Sequence, residues 1–383
     1  MTEKLYYYDA YMKEFSARVL SSEKEGELFA TILDKTAFFP EEGGQYCDGG
    51  TIDGKRVLKV VEKDGVIIHF TELGFEVGAT VFGSIDFSER YEKMQIHTAE
   101  HILSGLIHST FGLNNVGFHL GAEEVTMDIS APLSWEQLME IEEMANKAIF
   151  SDTVVEQIFP KKEEISEMQY RSKLVITENL RIIKIGDYDS CACCAPHVKS
   201  TGEIGSVKIL DFAKLRGGIR IFITAGARAL RYYNNMLEQL SIISRLTSTP
   251  RLEVADSVKK ILADNEELMG ELKSIRKSNA IKDAESIAPT DGNLVYVTEF
   301  ADYDLMRAIA NASIGKIKGM LVILAREGSA WKYVIASEGV KLKSEIKKIN
   351  AALDGKGGGS DVMTQGNFSC ELALIEKYFI HQQ

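Results

Sequence analysis

Up to about residue 90, apolar and polar positions alternate in short, β-branched runs: Phe15 to Leu20, Leu28 to Leu33, Val57 to Val61, Val66 to Phe70 and Thr80 to Ile85. A period of two is the mark of a half-buried strand. The dipeptides Asp53-Gly54 and Asp64-Gly65 between runs mark tight hairpins. These elements predict a small β-barrel over residues 1–90. Between its second and third strands lies a long loop from Thr36 to Gly50, with Gly43, Gly44 and Gln45 at its centre. It reads either as a long hairpin turn or as a ligand loop, because paired glycines allow close backbone approach and Gln45 is free to hydrogen-bond what arrives.

The period then changes. Ala99, Ile102, Leu103, Leu106, Ile107 and Phe111 recur at the three-and-four spacing of an amphipathic helix. Val116 to Leu120 and Val125 to Ile129 read as paired strands, and Trp135 to Phe150 as a helix with Ser134 as its N-cap. A further amphipathic piece leads into strands at Arg181 to Ile185, Ile204 to Ile209 and Ile219 to Thr224. Residues 91–226 are therefore α+β with a mostly antiparallel sheet. A helical stretch over 227–285 breaks at Thr249-Pro250. Its second half sets Val254, Val258, Ile261, Leu268, Leu272 and Ile275 on a heptad seam that carries Asn265. Such a seam fits a homodimer, whose pairing one polar residue fixes, or a hairpin packed within the chain. Over 286–383, strands at Leu294 to Thr298, Met320 to Ala325 and Trp331 to Ser337 alternate with helices at Tyr303 to Ala312 and Leu342 to Leu353, predicting a separate α/β domain.

The first chemistry sits on the helix of the middle block. His97 and His101 are four apart and so share one helical face. Ninety-two positions beyond His101 comes a second pair at the same spacing, Cys193 and His197. Two imidazoles, a thiolate and a third imidazole are a ligand set that suits tetrahedral zinc. The same helix also reads His97-Thr98-Ala99-Glu100-His101, the H-x-x-E-H order of inverted zinc peptidases with Glu100 as base. That reading leaves Cys193 and His197 without a task. On the two-halved reading Glu100 is a flanking residue, solvated or orienting a ligand. His108 extends the histidine face as a candidate to orient a ligand, while His69, His119 and His381 have no partner in sequence. Cys47 and Cys370 read as small apolar residues.

At 383 residues, with 45% hydrophobic and 26% charged residues, the chain is a soluble globular protein of two or three domains. Five cysteines, three of them at 191, 193 and 194, favour metal ligation in a reducing cytoplasm over disulfides. No apolar run reaches the roughly 18 residues of a membrane span. A net charge of −12 excludes non-specific nucleic-acid binding over the whole surface. From Arg307 to Lys356, however, ten Lys and Arg meet only four Asp and Glu. That stretch is either a solvated face or a place where a polyanion is guided. The run Gly355-Lys356-Gly357-Gly358-Gly359 within it is a candidate phosphate-meeting loop without Walker spacing.

Taken in order, the Thr36 to Gly50 loop, His97-x-x-x-His101 and Cys193-x-x-x-His197 with Val198, Thr201-Gly202, Ile204-Gly205 and Lys208-Ile209 resemble the editing region of alanyl-tRNA synthetase. The block with Gly357-Gly358-Gly359-Ser360-Asp361 and Gln365-Gly366 resembles the DHH-associated domain that follows it. With no room ahead of the barrel for an aminoacylation domain, the chain is similar to the free-standing alanyl-tRNA editing proteins in their long form. The resemblance implies a β-barrel (1–90), a zinc-binding editing domain (91–226), a helical linker (227–285) and a DHH-associated domain (286–383).

It further implies zinc on His97, His101, Cys193 and His197, and hydrolysis of the ester joining serine, with glycine as a second candidate, to tRNA(Ala). An inactive tRNA-binding protein of the same fold is the remaining alternative. The Gly43-Gly44-Gln45 loop would line the substrate pocket and Thr36 would recognise the serine hydroxyl. Lys341, Lys343, Lys347, Lys348, Lys356, Gly357, Gly358 and Gly359 would meet RNA. Nucleotide and ATP binding come with the family, despite the missing Walker spacing. Two departures stand out: the family's Cys-Gly-Gly-Thr-His reads Cys193-Cys194-Ala195-Pro196-His197, which leaves the ligand open between Cys193 and Cys194, and Cys47 stands where a glycine is common. With four protein ligands the ion would position the 3′ end and polarise the aminoacyl group while an ordinary water attacks.

Overall fold

The structure, a computed structural model, describes residues 1–172 and 180–380. His381 and much of the amphipathic piece expected ahead of Arg181 lie outside the described residues. The chain forms two compact units, Met1–Ser241 and Ile242–Gln383.

In the first unit, eight strands precede the first α-helix: β1 (Glu3–Lys4), β2 (Glu14–Glu25), β3 (Leu28–Leu33), β4 (Lys35–Thr36), β5 (Gly50–Ile52), β6 (Lys55–Lys63), β7 (Val66–Thr71) and β8 (Thr80–Ile85). Six of them pair in the order β2-β3-β7-β6-β5-β8, and β8 returns to β2 with Glu14 opposite Ser84, so the ladder closes into a barrel. Short parallel β1 and β4 lie outside this ring. Alternation puts Ala17, Val19, Leu33, Ile52, Val60, Ile67 and Val81 inside. Asp53 and Asp64 adopt φ of 47° and 52°, each followed by a glycine at positive φ, as the two central residues of a tight hairpin require.

The element that follows organises the unit. Helix α1 (Phe87–Phe111) starts at Asp86, whose side chain accepts from the Glu89 amide, and stops at Gly112 in the left-handed region at φ 69°. From Met94 to Ile107 every residue is buried. Around it stand β9 (Asn115–Leu120), β10 (Val125–Ile129), α2 (Trp135–Phe150), β11 (Val155–Ile158), β12 (Ile182–Ile185), β13 (Asp189–Ala192), β14 (Val207–Leu215) and β15 (Gly218–Ala225). They form two antiparallel sheets, β14-β15-β10-β9 and β11-β12-β13. Helix α2 begins at the expected residue, with a full capping box between Ser134 and Gln137.

Helix α3 (Gly226–Thr247) contains the division between units, and α4 (Val254–Glu285) belongs to the second. The helical stretch expected over 227–285 is these two helices, broken between Thr247 and Val254 around Pro250. Near the end of α4, Ala280 and Ala284 join Leu305, Met306 and Ile309 in one core. The seam residues Val258, Ile261, Leu268, Leu272 and Ile275 are exposed. The rest of this unit is β16 (Leu294–Thr298), α5 (Tyr303–Ser313), β17 (Leu321–Glu327), β18 (Ala330–Ala336), α6 (Leu342–Ala352), β19 (Gly355–Gly359), β20 (Met363–Phe368) and α7 (Leu372–Ile380).

Strands and helices alternate here as expected, and the sheet, β16-β17-β18-β20-β19, has one parallel pair, β16 with β17, the rest being antiparallel. The glycine run is not a loop: Gly355–Gly359 is the edge strand β19, paired with β20. Gly357 and Gly366 face one another over the Tyr333 hydroxyl, where a Cβ on Gly357 would sit 2.3 Å from that oxygen. With its amides laid out in a ladder, this run offers no phosphate cradle, and ATP binding has no support. Among the described residues no helix is long and apolar enough to cross a membrane.

Candidate metal centre

A helix buried along most of its length must find a partner for every polar side chain it carries. Arg90 and Lys93 bind Asp48 and the carbonyl of Cys47, which ties the loop after β4 to α1. Gln95 donates to the Glu203 carbonyl. One turn further on, His97 and His101 converge with Cys193 and His197, and the four ligand atoms lie within 4.8 Å of one another. Nε2 of His97 is 3.7 Å and Nε2 of His197 is 3.3 Å from Cys193 Sγ.

Every imidazole is backed by an oxygen on its far side. His101 Nδ1 lies 2.9 Å from Asp189 Oδ2, which can only accept. His197 Nδ1 lies 3.0 Å from Thr98 Oγ1, whose proton goes to the Met94 carbonyl at 2.7 Å, so the ring donates there too. His97 Nδ1 lies 2.9 Å from Gln45 Oε1. These partners fix the tautomers with the Nε2 lone pairs turned inward, the arrangement that orients metal-ligating histidines. Three inward nitrogens around one sulfur fit a tetrahedral zinc ion.

The electrostatics agree. Burial pushes the Cys193 thiol up, but the nearby rings of His97 and His197 and its hydrogen-bonding contacts with His101 and His197 outweigh that and hold the group well below the ordinary thiol value. Burial brings His197 down to about 3, leaving it a neutral donor of electrons. For His101 burial lowers the pKa, while Asp189 and Cys193 raise it further than burial lowers it. Cys194 differs from its neighbour: burial, Cys193 and a hydrogen bond to Glu42 push its thiol up. Of the two adjacent cysteines, Cys193 is the one in the cluster, and Arg181 holds that turn through the carbonyls of Cys193 and Ala195.

His97, His101 and Cys193 of the cluster form one wall of a cavity of about 430 Å³, lined also by Tyr7, Glu42, Gly43, Asn115 and Phe118. Of the expected pocket loop, only Gly43 among the three central residues lines it. Gly44 packs its backbone on Phe118, and Gln45 is buried behind His97. Thr36 is not on the wall. Its hydroxyl sits in the barrel, 2.9 Å from His69 Nε2, because β4 carries it inside the apolar core. Glu100, read as a flanking residue that is solvated or orients a ligand, is only 5% exposed and lines the cavity, since no face of α1 reaches solvent there, and it makes no hydrogen bond to a cluster histidine among the described residues. His108 is exposed and spent near the Leu113 carbonyl, too far along α1 to orient a ligand. Lys341, Lys343, Lys347, Lys348 and Lys356 are exposed in the second unit with Gly357, Gly358 and Gly359. Sequence reasoning missed Asp189, Thr98, Asn115 and Arg171. Asp189 lies two residues before a flagged cysteine, but no spacing rule points from it to His101.

Comparison with known proteins adds to this geometry. Residues 180–221 match the family described as threonyl and alanyl tRNA synthetase second additional domain, and residues 3–89 match class II (A) tRNA synthetases. The alanyl-tRNA editing protein AlaX-L of Pyrococcus horikoshii is 31% identical over 96% of this chain and 94% of its own length. The alanine–tRNA ligases of Ignicoccus hospitalis and Thermococcus kodakarensis are 29% and 31% identical over 94% and 98% of this chain, which spans 40% and 42% of their lengths.

Proposed function

We propose, from the premise that the chain belongs to the alanyl-tRNA editing family, that it clears tRNA(Ala) of a wrong amino acid, serine in the first place. It is an ester hydrolase: water bonds to the acyl carbon, the bond from that carbon to the terminal ribose oxygen breaks, and the proton passes to the ribose. The observation that carries the reading is the cluster of His97, His101, Cys193 and His197, backed by Gln45, Asp189 and Thr98, at the wall of the cavity. Zinc held there would supply Lewis acidity toward an ester carbonyl.

The chain's own residues do the rest. Gln45 fixes His97 through Oε1, and its buried Nε2 has no hydrogen-bond partner among the described residues. A buried donor without a partner costs about 1–3 kcal/mol. Gly43 lets the aminoacyl end pass close to the backbone. Because Thr36 is committed to His69, discrimination of serine from alanine falls to polar groups of the cavity wall. A site whose polar groups are satisfied only by a hydroxyl rejects the methyl analogue strongly. The exposed Lys341, Lys343, Lys347, Lys348 and Lys356 are assigned to phosphates of the tRNA, and Gly357 to Gly359, paired in β19, are left out of that set. The peptidase reading is less well supported, since Cys193 and His197 complete the set and no carboxylate is part of it.

Incubation with Ser-tRNA(Ala), Ala-tRNA(Ala) and casein separates the alternatives. Selective loss of serine is expected; cleavage of casein, or no loss of either amino acid, defeats the proposal.

A further inference from the structure

Glu100 has no task in the reading above, yet its surroundings are those of a functional group. Oε1 accepts from Ser104 Oγ and from Asn115 Nδ2, and Asn115 Nδ2 also lies 3.0 Å from Ser104 Oγ. This triangle aims the carboxylate. Oε2 has no hydrogen-bond partner among the described residues, and Glu100 forms no ion pair among them. The cavity's arginines are committed elsewhere: Arg171 Nε to Asp189 Oδ1 at 2.7 Å, Arg181 to Gln157 and two carbonyls. A carboxylate that is 5% exposed and makes no ion pair among the described residues is costly to bury, and the attraction of Arg171, which Asp189 shares, answers that charge only in part. It calls for a cationic ligand in the cavity it lines.

An aminoacyl ester carries one such cation, its α-ammonium, one carbon from the acyl carbon under attack. Resting on the function proposed above, we infer that Glu100 binds the α-ammonium of the aminoacyl group and thereby sets the acyl carbon against the metal cluster. The neighbouring position of His101 on α1 gives the spacing: one residue holds the amine end while the next belongs to the cluster. The triangle of Ser104 and Asn115 explains why the carboxylate is held rigidly.

The test compares seryl-tRNA(Ala) with glyceryl-tRNA(Ala), in which a hydroxyl replaces the α-amino group, in wild-type protein and E100Q. Dissociation constants of the non-hydrolysable 3′-amide forms are measured alongside, as is zinc content. A charge-assisted hydrogen bond corresponds to a preference of roughly 10- to 100-fold for the amine. Wild type should show it in both rate and affinity. In E100Q, with zinc content unchanged, both should fall to within about threefold. An equal slowing of the two esters with the preference intact overturns the inference and assigns Glu100 to the attacking water. Should E100Q not fold, E100A, which also removes the charge, reads the same ratio with the same two outcomes. Wild type that clears neither ester defeats the functional reading itself, whereas wild type that clears both equally defeats only this inference.

Discussion

The histidines of the cluster show what a single residue's setting does. A histidine ring on its own can hold its proton on either nitrogen; Gln45, Asp189 and Thr98 leave each ring one choice. Removing such a partner typically weakens metal binding by about 10- to 100-fold. D189N should therefore retain the fold and bind zinc that much more weakly in competition with a chelator; unchanged affinity would mean that Asp189 serves only Arg171. His69 makes a separate prediction. Buried in the barrel beside Thr36, it is brought down to about 4 by burial. The unfolded chain, with His near 6.5, binds the proton first, so stability is full above about pH 6.5 and falls as pH drops through about 4, by about 3 kcal/mol. Denaturant titrations at several pH values should show this slope, and H69Q should flatten it. At this scale the four candidate ligands were legible because helical spacing puts His97 beside His101 and a tight turn puts Cys193 beside His197. The choice between Cys193 and Cys194 was not, because it depends on Glu42, far away in sequence. Glu100 was misplaced for a similar reason: exposure is a property of what surrounds α1.

Among the elements, α1 was visible from its apolar spacing, but that pattern described one face of a helix buried on every side between Met94 and Ile107. At Gly105 it runs close to the chain before β13: a Cβ there would sit 2.1 Å from the Tyr188 carbonyl and 2.8 Å from Asp189 Cβ. G105A should push β13 away, destabilise the protein by about 1–3 kcal/mol and, by moving Asp189, loosen zinc. G270A, on exposed α4 with nothing within 4 Å, should instead stabilise by about 0.5–1 kcal/mol. Calorimetry of the pair checks both signs. The glycine run at 355–359 was legible as special but not as a strand, since strand propensity argues against it. What makes it one is pairing with β20 over the Tyr333 hydroxyl, a contact made across the sheet.

For the molecule as a whole, composition and pattern indicated several domains, while the boundary at Ser241 falls inside α3, where no turn residue marks it. The complete metal cluster and its cavity belong to the first unit. A chain ending at Thr247, after α3, should keep its zinc and a turnover within about threefold of the full protein. The KM for tRNA should rise by roughly tenfold or more, because several phosphate contacts are lost. A loss of zinc on truncation would show that the second unit is needed to build the site. The most direct test of the central claim is the single-turnover rate of ester hydrolysis on Ser-tRNA(Ala) and Ala-tRNA(Ala), measured for zinc-loaded wild type and for C193A. The account predicts that wild type clears the seryl ester about 100-fold faster than the alanyl ester or more, and that C193A, depleted of zinc, loses this activity. Equal rates on the two esters, or a zinc-free C193A protein as active as wild type, would contradict it.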